Sequence, residues 1–149
     1  MGEFIFLRIL GIDLGEKRIG ISISDGLGIT AQGLPTINSI NEVENLKNIK
    51  EIIDKYGVEK IVLGFPKNMN GSLGKQAQKA ISFAEKLKLS FQLPVELEDE
   101  RLSTSKAEKF LIETDRSRKK RKKVIDKMSA VIILQSFLDR RMMSKEIIK

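Results

Sequence analysis

The stretch Arg8-Ile9-Leu10-Gly11-Ile12-Asp13-Leu14-Gly15 and its continuation Arg18-Ile19-Gly20-Ile21-Ser22-Ile23-Ser24 read as two strands joined by a turn at Gly15. The first is an apolar run, of the kind a sheet interior requires, that stops at a carboxylate. An acid at the end of a central strand is costly to bury alone. It persists where a cation, a partner or a substrate meets it. The fold reading and the functional reading both start from that acid.

Working outward, the pattern predicts a first strand over about 5–13, a second over 18–24 and a third over about 28–36. Gly15 and the pair Asp25-Gly26 supply the turns, and Pro35 closes the third strand. The three form an antiparallel meander. From Asn41 the period becomes helical, with Val43, Leu46, Ile49, Ile52 and Ile53 three or four apart and Gly57 as the stop. Lys60-Ile-Val-Leu-Gly-Phe65 is a continuous apolar run suited to a parallel strand. Pro66–Ser72 is a polar loop holding an Asn-Gly turn, and residues 75–90 form a helix through Ala77, Ala80, Ile81, Ala84 and Leu87. Pro94–Glu98 is a short fifth strand, Ser105 opens a third helix, and a last helix runs from about Val124 to Met142. Phe65, Phe83, Phe91, Phe110 and Phe137 read as core, and Tyr56 has no stacking role. The expected fold class is therefore α/β. Three antiparallel strands followed by two crossover-linked parallel strands make a five-stranded mixed sheet flanked by helices, in one domain spanning 1–149.

Composition narrows the chemistry. The chain has 149 residues, 41% of them hydrophobic and 32% charged, with no Cys and no His. Disulfides, thiolate nucleophiles, imidazole catalysis and ordinary structural zinc sites are excluded. No apolar run approaches the roughly 20 residues of a membrane span, and the N-terminal stretch is a poor signal peptide, so the expectation is cytoplasmic. The net charge of +7 is local. Residues 115–127 carry eight cationic side chains against Asp115 and Asp126, a net +6. The run reads either as a solvated basic loop or as a polyanion contact made by Arg118, Lys119, Lys120, Arg121, Lys122 and Lys123.

In a sheet of this kind the ligand site lies at the carboxyl ends of the parallel strands. Asp13, the Pro66–Ser72 loop and Asp99-Glu100-Arg101 all fall at such ends. Asp126 shares a helical stripe with Ala130, Ile133 and Phe137, an apolar setting for an acid. Helix-end stabilisation would explain that acid too. Taken together, Asp13, Glu100 and Asp126 form a candidate triad for Mg²⁺ or Mn²⁺, which take carboxylate, water and phosphate oxygens. Two such ions about 4 Å apart activate a water and stabilise the leaving oxygen of a phosphodiester. Lys67, Asn68 and Asn70 are candidate sugar-phosphate contacts, although an ordinary polar turn explains that loop equally well. Arg101 either meets the phosphate or orients Glu100.

Four motifs stand in order along the chain: Ile12-Asp-Leu-Gly-Glu-Lys-Arg-Ile-Gly-Ile21, Gly64-Phe-Pro-Lys-Asn-Met-Asn-Gly-Ser72, Asp99-Glu-Arg-Leu-Ser-Thr104 and Ile125-Asp-Lys-Met-Ser-Ala-Val-Ile-Ile-Leu-Gln135. Together they resemble the YqgF (RuvX) family over nearly the whole chain. Phe65 stands where Leu is usual. The resemblance implies a ribonuclease H-like fold, kinship to Holliday junction resolvases, and a nuclease that trims the 5′ end of pre-16S ribosomal RNA in ribosome biogenesis. It also implies Mg²⁺ or Mn²⁺ and the acids Asp13, Glu100 and Asp126.

Three functions stay open on the residues alone. They are a metal-dependent ribonuclease on precursor rRNA, a resolvase on four-way DNA, and a non-catalytic RNA-binding factor in ribosome assembly or transcription. The partner is nucleic acid and not a membrane, and the protein is a monomer or a homodimer. Asp-Leu-Gly near a first strand also occurs in actin-like and sugar-kinase ATPases, but 149 residues leave no room for their second domain.

Overall fold

The computed structural model describes residues 8–66, 73–99 and 128–142. Five strands form one sheet: β1 (Arg8–Leu14), β2 (Arg18–Ser24), β3 (Ala31–Asn38), β4 (Val58–Phe65) and β5 (Val95–Asp99), in the spatial order β3-β2-β1-β4-β5. β1–β2 and β2–β3 are antiparallel, whereas β1–β4 and β4–β5 are parallel. This is the expected mixed sheet. Helices α1 (Glu42–Tyr56) and α2 (Lys75–Phe91) make the crossovers, and α3 covers 128–142.

Strand alternation divides the side chains between two faces. Leu10, Ile12, Ile19, Ile21, Ile23, Ile61 and Leu63 point one way, and pack with Ile49 of α1 and Ala77, Ala80, Phe83, Ala84 and Leu87 of α2. The other face carries Ile9 and Val62, covered by Ile133, Leu134, Phe137 and Leu138 of α3. Burying each such side chain contributes roughly 1.5–3 kcal/mol, so α3 is held by its apolar stripe. The predicted stripe members Ala130, Ile133 and Phe137 are all buried.

One transverse row explains how close α3 comes. Gly33 pairs with Ser22, Ser22 with Gly11, Gly11 with Val62, and Val62 with Glu96. The first three are small. A Cβ on Gly11 would stand 2.8 Å from the Leu134 Cβ and 3.1 Å from the Ala130 carbonyl oxygen. The Ser22 hydroxyl donates to that same carbonyl at 2.7 Å. Small residues and one hydroxyl thus set the helix against the sheet. Farther along α3, Gln135 accepts from the Ala31 N–H and donates to the Ile29 carbonyl, each at 2.9 Å. The Lys60 ammonium lies 5.1 Å from the centre of the Phe137 ring. Ile29, Ala31 and Lys60 all lie toward the end of the sheet where β1 starts. The helix therefore runs from the middle of the sheet away from the carboxyl end of β1.

Several predicted boundaries move. β3 begins at Ala31, not at residue 28, because the preceding residues are tied into a turn. The Asp25 carboxylate accepts from the Ile29 N–H at 2.7 Å and the Thr30 N–H at 3.2 Å, and Gly28 has φ +71°. Pro35 does not close β3, which continues to Asn38. The strand is at the sheet edge, and the β2–β3 register shifts between Ile19 and Ile21, opposite Pro35 and Thr36. An edge irregularity is where a residue without an N–H is tolerated. β5 takes in Asp99 and begins at Val95. In α1, Val43 is 75% exposed and outside the core, whereas Ile49 is fully buried. The carboxamide of Asn41 caps α1 by accepting from the Glu44 N–H at 2.9 Å, and Gly57 ends it at φ +65°. In α2, Phe83 is buried and Ile81 is at the surface. Phe65, Phe83 and Phe137 are core as expected, and Phe91 packs against its margin. Tyr56 meets cations rather than rings, with Lys55 at 5.5 Å and Arg8 at 5.9 Å. The helix expected from Ser105, with Phe110, lies outside the described residues.

Candidate active site

Asp13 is the penultimate residue of β1, half-buried, with Gly20 of β2 directly across. Its position, two residues after Gly11, puts it on the α3 face. The other near neighbours on that face are small too. Gly64 of β4 stands one residue past the Ile12–Leu63 pair. Glycines at Gly11, Gly20 and Gly64 leave the surroundings of the carboxylate unobstructed by side chains from the adjacent strand positions. The turn after Asp13 is tight. Gly15 N–H donates to the Arg18 carbonyl at 3.0 Å, and a Cβ on Gly15 would stand 2.5 Å from that oxygen. This is why a glycine follows the Asp-Leu pair. The turn is fastened on both sides, by Ser39 N–H to the Lys17 carbonyl at 2.9 Å and by Gln76 to the Glu16 carboxylate at 3.3 Å.

Of the sequence-predicted site residues, Asp13 is where expected, at the carboxyl end of the central parallel strand. Glu100, Asp126, Lys67, Asn68, Asn70, Arg101 and the run Arg118, Lys119, Lys120, Arg121, Lys122 and Lys123 lie outside the described residues. Among the described residues, no group of three or more His, Cys, Asp or Glu could hold a metal ion. The described elements do lead toward Asp13 from both sides. β5 runs parallel to β4 and ends at Asp99, opposite Phe65. The described part of α3 starts at residue 128, two residues before the carbonyl that Ser22 holds beside Gly11.

Two polar residues on the α3 face escaped the sequence reading. Arg18 follows the turn and is exposed, on the same face as Gly20 and therefore as Asp13. Glu98 is paired opposite Gly64 and is 1% exposed. One of its oxygens is bound by Arg140 of α3, and the other has no hydrogen-bond partner among the described residues. The signal for both was strand parity. It becomes usable only when register shows which face of each strand the last helix covers.

A five-stranded mixed sheet in this order, with an acid at the carboxyl end of its central strand, is the ribonuclease H-like fold. Solved structures share the fold. Thermus thermophilus RuvC in complex with a Holliday junction substrate superposes with a TM-score of 0.54 at 14% identity, covering 91% of this chain and 96% of that one. The fowlpox virus Holliday junction resolvase gives 0.52 at 13% identity, covering 90% and 99%. Within that class the chain belongs to the RuvX family, whose model, described as Holliday junction resolvase, matches residues 7–140. Relatives from Caldanaerobacter subterraneus subsp. tengcongensis and Geobacillus kaustophilus are 57% and 58% identical. Each match takes in 89% of this chain, and 96% and 98% of the respective relatives. Both carry the name "Putative pre-16S rRNA nuclease". No described helix is long and apolar enough to cross a membrane.

Proposed function

We propose that this chain is a divalent-metal-dependent nuclease of one domain, residues 1–149, that hydrolyses phosphodiester bonds at the 5′ end of pre-16S rRNA in the bacterial cytoplasm. The observation that carries the reading is the position of Asp13. It is a half-buried carboxylate at the carboxyl end of the central strand, on the face the last helix covers, with glycines beside it. The donor chemistry suits Mg²⁺ or Mn²⁺, because a chain without His or Cys offers oxygen ligands. Asp13, Glu100 and Asp126 would hold the metal. When bound, the metal supplies Lewis acidity and an activated water.

The described ends of β5 and α3 support the triad. β5 ends at Asp99, one residue before Glu100 in the chain, with Glu98 on the face of Asp13. The Ser22 hydroxyl holds the Ala130 carbonyl on that same face, and Ala130 follows Asp126 by four residues in the sequence. Lys67, Asn68, Asn70, Arg101 and residues Arg118 to Lys123 would meet the sugar-phosphate backbone. The names of the relatives support precursor rRNA as substrate.

The deciding experiment is cleavage of a pre-16S rRNA fragment with Mg²⁺ or Mn²⁺, comparing wild type with Asp13→Asn. Loss of about 10³-fold or more in rate is expected; equal rates would overturn the assignment. A second reading, resolution of four-way DNA junctions, is favoured by the family description and the RuvC likeness. Paired symmetric cuts by a dimer on a synthetic junction, with no cleavage of the RNA, would replace the first reading by this one.

A further inference from the structure

Arg18 has no part in the triad, yet the sheet fixes it beside Asp13. Gly20 is directly opposite Asp13, and Arg18 is two residues from Gly20 on the same face of β2. It is therefore a diagonal neighbour, about 7–8 Å away at the backbone and within reach of a long side chain. Gly15 and Gly20 put no side chain between the two. The backbone at Arg18 is held rigidly. It pairs with Asn38 of β3, its carbonyl accepts from Gly15 N–H at 3.0 Å, and the turn before it is fastened by Ser39 and Gln76. The neighbouring core residue Ile19 is fully buried, which anchors the strand, whereas Arg18 is exposed.

We infer that Arg18 is a phosphate-positioning residue. Its guanidinium grips a non-bridging oxygen of the phosphodiester from the β2 side while the carboxylate end of β1 faces the scissile bond. The chemistry favours this. A planar, permanently charged fork matches phosphate oxygens bidentately. A site built of carboxylates also needs a cation to offset the charge of an incoming polyanion. A rigid strand is a better mount for such a contact than a loop. The inference rests on the nuclease reading for its substrate class, a nucleic-acid backbone.

The test uses the full chain carrying Asp13→Asn, so that binding is read without cleavage. The probes are a fluorescent RNA hairpin with a single-stranded 5′ extension and a four-way DNA junction. Adding R18A should weaken binding roughly ten-fold and reduce the slope of log affinity against log salt by about one. R18K should restore the slope and only part of the affinity, because it keeps the charge and loses the fork. Unchanged affinity and slope in R18A overturn the inference. So does a change confined to Mn²⁺ affinity measured by titration calorimetry, since that marks Arg18 as a partner of the acids alone. R18A and R18K melting alongside the parent shows that the sheet is intact; were R18A unfolded, R18K alone decides, and full affinity in it refutes the need for a fork. The two readings separate cleanly. Loss of binding in R18A with no cleavage by wild type would keep the phosphate contact and remove the nuclease.

Discussion

Replacing Gly11 by Ala should push the last helix off the sheet. The new Cβ would stand 2.2 Å from the Ser22 Oγ, 2.8 Å from the Leu134 Cβ and 3.1 Å from the Ala130 oxygen. Ordinary carbon contacts are about 3.5–4.0 Å. The serine hydroxyl can swing aside, but only by giving up its bond to the Ala130 carbonyl. The Leu134 contact is not relieved that way, because its Cβ is fixed to the helix backbone. Restoring it requires α3 to retreat by about 0.7 Å. Overpacking of this kind costs about 1–3 kcal/mol, and stranding a buried carbonyl adds about 1–3. The stiffer unfolded chain returns less than 1 kcal/mol. A net loss of about 3 kcal/mol is expected, equivalent to roughly 10 °C in melting temperature for a chain of this size. Urea denaturation of wild type, G11A, S22A and G11A/S22A measures it. The two single losses should be non-additive by about 1 kcal/mol, since they share the Ala130 carbonyl. A loss under about 1 kcal/mol in G11A would refute the close-approach argument, and with it the reason that small residues line this row.

Other expectations concern charge. Removing Arg140 leaves the Glu98 carboxylate in a site that is 1% exposed, with one oxygen already unpartnered among the described residues. Breaking a buried pair costs 3–5 kcal/mol, but the Arg140 side chain is 60% exposed and water can follow it in, so R140A should lose about 2. E98L should lose less, because the arginine it frees is already largely in solvent; a larger loss in E98L than in R140A would contradict this ordering. For Asp25, the Ile29 N–H bond holds the carboxyl below its ordinary value of 3.8; burial, the next largest influence, opposes it, and the Thr30 and Gly28 N–H groups help it. A depressed folded value means that the contribution is complete above the unfolded value and is lost as pH falls through the folded one. The stability gap between wild type and D25N should therefore be constant from neutral pH to about 4 and close in more acid solution. Denaturation curves showing a gap that widens toward low pH would sink the assignment. In the turn from β3 to α1, N41A should cost about 1 kcal/mol by removing the α1 cap, read by the same melts.

How much could be read without coordinates follows from the range of the forces involved. Local chemistry named the elements. The apolar run ending at Asp13, the glycine that a tight turn needs at Gly15, the helical period ended by Gly57 and the continuous apolar strand before Phe65 all depend on neighbours within a few residues. Strand polarity then followed from connection length, and with it the carboxyl edge where Asp13 lies. The extent of β3 was not legible, because Pro35 is harmless only at an edge and only opposite a register shift. The burial of Glu98, the exposure of Val43 and the face shared by Asp13 and Arg18 were hidden for the same reason. Each depends on which strand stands next and which helix lies above. The Ser22–Ala130 bond joins residues 108 apart in sequence. Sequence alone thus determined which segments form strands and helices and which acid ends the central strand. Tertiary structure decided which side chains share a face, because register and the approach of α3 are set by packing between segments that no local pattern connects.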